Sequence, residues 1–302
     1  MANIPTITSS TRPATAAAGD AYFETDTNNY IIYDGANWRS YESDGTSGWS
    51  GINDYYLSFD GVDDYLSSLY GLDSPGSGDF SVSFWYKIPS IPTGNKVIFY
   101  AGDIQNDSTL QLNLRGSADG SNPTKFRFYA ADSSSNTIFD NYSNFQYTGN
   151  TWYHITFVRS GTNVKVYVGD STNNLSLQMD TTDSNLNQTF GGDYFLLNMF
   201  PSSSPTYWPT GSTYLPGQGD IDELAVFHSA LTQSQVTNIY KGESNGGSGG
   251  SNGTKGNIMS FNPVVWYRMG DGDEAGSGST VYDMSANNYH ATIYNSPSYT
   301  SY

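Results

Sequence analysis

No cysteine occurs anywhere in the 302 residues, which excludes a disulfide framework, a thiolate metal site and a cysteine nucleophile. Basic side chains are scarce: 12 Lys and Arg stand against 29 Asp and Glu, a formal charge of -17. Such a chain repels phosphate backbones and anionic lipid, so nucleic acid and membrane surfaces are excluded as partners. No apolar run approaches the ~18 residues that a membrane helix needs. The opening MANIPTITSSTRPATAAAG lacks the basic and apolar regions of a secretory signal, which points to synthesis in a cytosol.

Aromatic residues, by contrast, are abundant. The 25 Tyr, 15 Phe and 6 Trp exceed what a disordered chain carries. An acidic chain rich in Tyr, Asn, Gly and Ser suits an all-β surface protein better than a metabolic enzyme.

Residues 1–18 hold Pro5 and Pro13 without periodicity and read as an extended arm. In residues 19–42, three short aromatic runs, Ala21–Thr25, Tyr30–Tyr33 and Asn37–Tyr41, are separated by Asn- and Asp-Gly-containing turns. They predict a β-meander too small to stand alone, so Tyr22, Phe23, Tyr30, Tyr33 and Trp38 are candidates for docking onto a neighbour.

Residues 52–242 predict the main domain. Phe80, Val82, Phe84, Tyr86 and Ile88 alternate strictly onto one face of a strand. Trp152–Val168 reads as a hairpin turning at Ser160-Gly161-Thr162-Asn163, with Tyr153, Ile155 and Phe157 on one face and Val164, Val166 and Val168 on its partner. Lys96–Ala101, Thr109–Leu114, Lys125–Ala130 and Tyr194–Met199 are further strands, and many short strands with polar turns predict a sandwich or jelly roll. One helix is predicted after Leu231, with a capping box at Thr232 and Gln235, a stripe of Val236, Ile239 and Tyr240, and a stop at Gly242. Residues 243–257 form a Gly/Ser linker, and 258–302 a C-terminal segment.

The main domain resembles the laminin-G-like, concanavalin A-like jelly rolls. The run Leu57-Ser58-Phe59-Asp60-Gly61-Val62-Asp63-Asp64-Tyr65-Leu66 is similar to the family's opening strand and turn. Phe80–Trp85, the Trp152–Gly169 hairpin, and Gly219–Phe227 followed by Ala230-Leu231-Thr232 match its later landmarks in order. In the family, a segment like Val265–Met269 through Tyr282–Thr292 usually precedes the opening turn. Here it follows the helix, so 258–302 is expected to complete the sandwich by permutation, in cis or in trans. The stretch from Thr11 to Trp38 resembles a small β module found near the start of tailed-phage virion proteins.

These resemblances imply a non-enzymatic structural protein of a tailed phage particle, fibre, appendage or capsid decoration. It would be assembled in the bacterial cytoplasm, held to other virion proteins through residues 1–42, and open to homo-oligomerisation. The alternative is a receptor-binding adhesin for host surface glycans. For that role, Tyr207, Trp208 and Tyr214 in the proline-stiffened loop 201–219 are candidates to stack on sugar rings or to line an interface. A polysaccharide depolymerase is the weakest reading, because glycosidases of this fold use a Glu-x-Asp-x-Glu strand. In strict alternation, Asp220 and Asp222 share a face with Leu224, while Glu223 points away. No nucleophile elbow is present, and His154, His228 and His290 read as hydrogen-bonded sheet residues. No cofactor is required. Calcium is a candidate ligand of Asp60, Asp63, Asp64, Asp220 and Asp222, hard oxygen donors on loops and strand ends.

Overall fold

The computed structural model describes residues 5–17, 20–25, 29–33, 38–42, 55–68, 78–102, 109–132, 134, 136–172, 174–186, 195–197, 215–244, 258–269, 278–285, 287 and 289–301. The strands in chain order begin with β1 (Thr6–Ile7), β2 (Ala21–Glu24), β3 (Asn29–Tyr33) and β4 (Trp38–Glu42). Then follow β5 (Tyr55–Asp60), β6 (Tyr65–Ser68), β7 (Phe80–Ile88), β8 (Lys96–Gly102), β9 (Thr109–Leu114), β10 (Phe126–Ala131) and β11 (Thr137–Tyr142). The central hairpin is β12 (Thr151–Ser160) and β13 (Asn163–Asp170), followed by β14 (Ser176–Thr182), β15 (Phe195–Leu197), β16 (Leu215–Pro216) and β17 (Gln218–Phe227). The helix α1 (Gln233–Ser244) precedes β18 (Val265–Tyr267), β19 (Thr280–Val281), β20 (Ala291–Tyr294) and β21 (Ser298–Ser301).

The first four strands form their own sheet in the order β1-β2-β3-β4. The segment expected to be an extended arm is built into it: β1 pairs parallel with β2, and Arg12 lays a two-pronged ion pair on the fully buried Glu24, with Nε 2.5 Å and Nη2 3.0 Å from its oxygens. A carboxylate removed from water needs such a partner. Strand pairing that short was invisible to hydrophobic periodicity.

The remaining strands form two sheets packed face to face, the expected jelly-roll sandwich. One runs β11-β10-β9-β8-β15-β6-β20-β19, with β16 beside β8; the other runs β14-β13-β12-β7-β17-β5-β21, with β18 beside β17. The alternating residues predicted to face inward do so. Phe84, Phe157, Val166 and Leu224 from one sheet meet Phe99, Leu112 and Phe128 from the other in one buried cluster. Phe99 stands between Phe84 and Phe157, with ring centroids at 5.9 and 6.2 Å. Burying aromatic rings across two sheets in this way supplies most of the driving force.

Strands of the C-terminal segment pair with both sheets of the same chain: β18 with β17, β21 with β5, and β20 with β6. β11, β14 and β21 were not read from the sequence, since their sides facing away from the core are polar and their alternation is weak. The helix has the predicted capping box: Gln235 N donates to Thr232 Oγ1 at 3.2 Å, and Thr232 N to Gln235 Oε1 at 2.8 Å. It does not stop at Gly242 but runs on to Ser244, two residues into the predicted linker. Val236 and Ile239 pack against Val158, Tyr167, Ala225, Phe227 and Trp266 on the outer side of the second sheet. Tyr240 covers Trp85 and Trp152 there. Gly169 is what lets it close, because a Cβ at that position would lie 2.6 Å from the Tyr240 ring.

Candidate functional site

The strand β9, TLQLNL, turns Leu110, Leu112 and Leu114 into the core and so sends Thr109, Gln111 and Asn113 to the opposite face. On β10 the same alternation sends Arg127 and Tyr129 outward. Antiparallel register sets Asn113 opposite Arg127 and Gln111 opposite Tyr129, with Tyr100 beyond Gln111 on β8 and with Tyr142 and Asp140 on β11. The outer face of the first sheet is therefore a field of amides, phenols and guanidinium groups.

This face is polar and yet largely withdrawn from water: Asn113 is 0% exposed, Gln111 6% and Arg127 8%. Arg127 makes a bidentate pair with Asp140 at 2.7 and 2.8 Å, and its guanidinium lies 4.5 Å from the Tyr129 ring centroid. Arg115 pairs with Asp119 and lies over Tyr142 at 5.9 Å. The amides are loosely held. Asn113 Nδ2 donates to Gln111 Oε1 at 3.4 Å, Gln111 Nε2 to Thr109 Oγ1 at 3.4 Å, and Asn113 Oδ1 is buried with no donor among the described residues. An unmatched buried acceptor costs about 1–3 kcal/mol, and at 0% exposure Asn113 lies beneath the surface, so the groups of this face that a ligand can reach are the half-buried Tyr129 and Tyr142. The face was missed at the level of sequence, although Thr-x-Gln-x-Asn set between leucines was its signal.

At the turn after β5, Asp60, Asp63 and Asp64 bring one carboxylate oxygen each within 4.8 Å of the others. Gly61 makes the turn with φ of +80°, and its missing Cβ leaves room for Gln218. Asp64 is buried, which raises its pKa, and the charges of Asp60 and Asp63 push in the same direction against a lowering bond from Asp60 N. Beside the turn, Tyr65 and Tyr294 stack at 4.5 Å with ring planes 6° apart. Three hard oxygen donors suit calcium.

The expected five-residue set does not form, because Asp220 and Asp222 lie outside this group. Asp220 is held by Ser58 Oγ at 2.7 Å and Lys87 Nζ at 3.3 Å. Asp222 is fully buried, and its Oδ1 accepts from Glu223 N at 2.8 Å.

The expected pointing of the β17 side chains also needs correction. A bulge between Asp222 and Ala225 inserts one extra residue, with Glu223 at φ of +52°. Leu224 thereby turns into the core, and Glu223 accepts from Trp266 Nε1 at 2.6 Å and Arg268 Nε at 3.2 Å on the outer side. The acids of this strand are thus all engaged in holding the fold together. His154 bonds Ser83 Oγ through Nε2 at 2.9 Å, and both are 0% exposed beneath Tyr240. His290 Nδ1 accepts from Asp283 N at 3.0 Å.

Burial depresses the His154 pKa from 6.5 to about 3. The unfolded chain therefore takes up a proton below pH 6.5 that the folded chain refuses. Stability from this residue is complete above pH 6.5 and falls by about 1.4 kcal/mol per pH unit toward pH 3. His154→Gln, which keeps a partner for Ser83, is expected to flatten the change in urea midpoint between pH 6 and pH 4.

Of the docking candidates, Tyr22, Phe23 and Tyr33 are half-buried, while the side chains of Tyr30 and Trp38 lie outside the described residues. Tyr207, Trp208 and Tyr214 also lie outside them. The strands flanking their loop, β15 and β16, both pair with β8.

A protein of Bacteroides ovatus described as carbohydrate-binding shares the fold, with a TM-score of 0.54 at 15% identity over 95% of this chain and 70% of its own. The SAP-like pentraxin of Limulus polyphemus aligns at a TM-score of 0.45 and 17% identity, covering 70% of this chain and 92% of the pentraxin. Domains LG4-5 of the mouse laminin alpha1 chain align at 0.44 and 11%, covering 59% and 43%. No curated protein matches the sequence. Residues 60–237, more than half of the chain, match the family described as the concanavalin A-like lectin/glucanases superfamily, and to that family the chain belongs.

Proposed function

We propose that the chain is a non-catalytic glycan-binding module, with the outer face of the first sheet as its binding surface. The observation that carries this reading is the pair of half-buried rings Tyr129 and Tyr142 flanking the Arg127–Asp140 ion pair on neighbouring strands of that face. Sugars offer apolar ring faces to such phenols and hydroxyls to the polar groups between them. The carbohydrate-binding description of the Bacteroides ovatus neighbour supports the same reading. Catalysis is disfavoured because Asp220, Asp222 and Glu223 already hold Lys87, a backbone N–H, Trp266 and Arg268.

The proposal extends to display as an adhesin on a phage particle. The self-contained sheet of β1 to β4 is the attachment unit, and Asp60, Asp63 and Asp64 are ligands for a calcium ion at the sandwich rim. The test is a polysaccharide array probed with purified protein, with and without EDTA. Binding to at least one polysaccharide is expected, without release of reducing ends, and weakened at least tenfold by Tyr129→Ala at unchanged melting temperature. Failure to bind any glycan overturns the proposal; sugar release would replace it with a hydrolase.

A further inference from the structure

Cations are rare in this chain, and most of those described hold a carboxylate: Arg12 with Glu24, Lys87 with Asp220, Lys165 with Asp180, and Arg268 with Glu223. One end of the first sheet breaks the pattern. Arg115 N donates to Lys125 O at 2.9 Å, which sets these two residues opposite each other, one step along from the Asn113–Arg127 pair. By the pleat, Lys125, Arg115 and Arg127 share the outer face with Asn113. Lys96 begins β8 at the same end, opposite Leu114. Arg115 and Arg127 have Asp119 and Asp140, but Lys125 and Lys96 have no carboxylate partner among the described residues. Burial lowers the Lys96 pKa with no acid opposing it.

Like charges directly opposite on neighbouring strands destabilise a sheet. Here the residues around Asn113 supply three cations and two carboxylates, in a protein whose formal charge is -17. A local reversal of sign against so strong a background is a recognition feature for an anion. We infer that the glycan taken by this face is acidic, its carboxylate or sulfate held by Lys125 with Arg115 and Arg127. This rests on the glycan-binding reading above and adds the ligand's charge to it.

The test compares three polymers on the full-length protein: oligogalacturonate, a sulfated galactan, and a neutral galactan of the same length. Titration calorimetry in 50 mM and 500 mM NaCl is expected to show at least one anionic polymer binding tenfold or more tighter than the neutral one at low salt. That advantage should shrink at high salt, as screening requires. Lys125→Gln should remove most of the advantage and Lys125→Arg restore it, whereas Lys165→Gln, on the other sheet, should leave it intact. Preference between uronate and sulfate identifies the anionic group. Equal affinity for the neutral polymer, or an advantage untouched by Lys125→Gln, overturns the acidic ligand and leaves glycan binding standing. Failure to bind any of the three, with an empty polysaccharide array, removes the glycan-binding reading itself.

Discussion

Deleting residues 258–302 is expected to abolish the cooperative melting transition of the sandwich, not merely to lower its midpoint. The segment contributes Val265, Tyr267, Met269, Val281 and Ile293 to the central buried cluster. At about 1.5–3 kcal/mol for each buried side chain, their loss amounts to roughly 10 kcal/mol. That is comparable to the whole stability of an ordinary domain, about 5–15 kcal/mol. The deletion also strips β18 from β17, β21 from β5 and β20 from β6, leaving unpaired edges that invite aggregation. Calorimetry and size-exclusion chromatography of the truncated protein decide the matter. A sharp transition from a monomer would sink the expectation, and with it our proposal that 258–302 holds the displaced opening strands of the sandwich.

Glu223→Ala should have the largest effect of any single substitution. Its carboxylate, 1% exposed, receives the Trp266 indole and the Arg268 guanidinium, and Arg268 itself is 7% exposed and 5.4 Å from the Trp266 ring. Removing one member of a buried pair leaves the other charge uncompensated, at a cost of about 3–5 kcal/mol. For a domain of this size that lowers the melting temperature by roughly 10 °C. Hydrogen exchange should localise the damage to β17 and β18. Glu223→Gln, which can still accept from Trp266 but not neutralise Arg268, should fall between. A loss below about 1 kcal/mol for Glu223→Ala would mean that water already screens the pair.

The sandwich was legible because its inward residues obey period two without interruption: Phe80 to Ile88, Tyr153 to Phe157 and Val164 to Val168 needed no tertiary information. The capping box at Thr232 was equally local. The β17 bulge was not. Whether Glu223 or Leu224 faces the core depends on the register of β17 against β7 and β18, which the run Asp-Ile-Asp-Glu-Leu does not encode. The same limit hid the polar outer face of the first sheet. Thr109, Gln111 and Asn113 look like ordinary outward polar residues until pairing sets Arg127 and Tyr129 against them. Arg12 and Glu24 illustrate a third limit, since a lone arginine in a proline-containing stretch gives no sign of the buried acid it will meet.

The closing strand has a mechanical consequence. β21 lies antiparallel to β5, with Ser301 opposite Tyr55, so the chain reaches the sandwich and leaves it at one corner. Tension between the two ends therefore pulls these strands apart sideways, and their hydrogen bonds fail one after another instead of sharing the load. A module built this way yields early if strung in line between two anchors. Held from one side of that corner alone, it bears no such load.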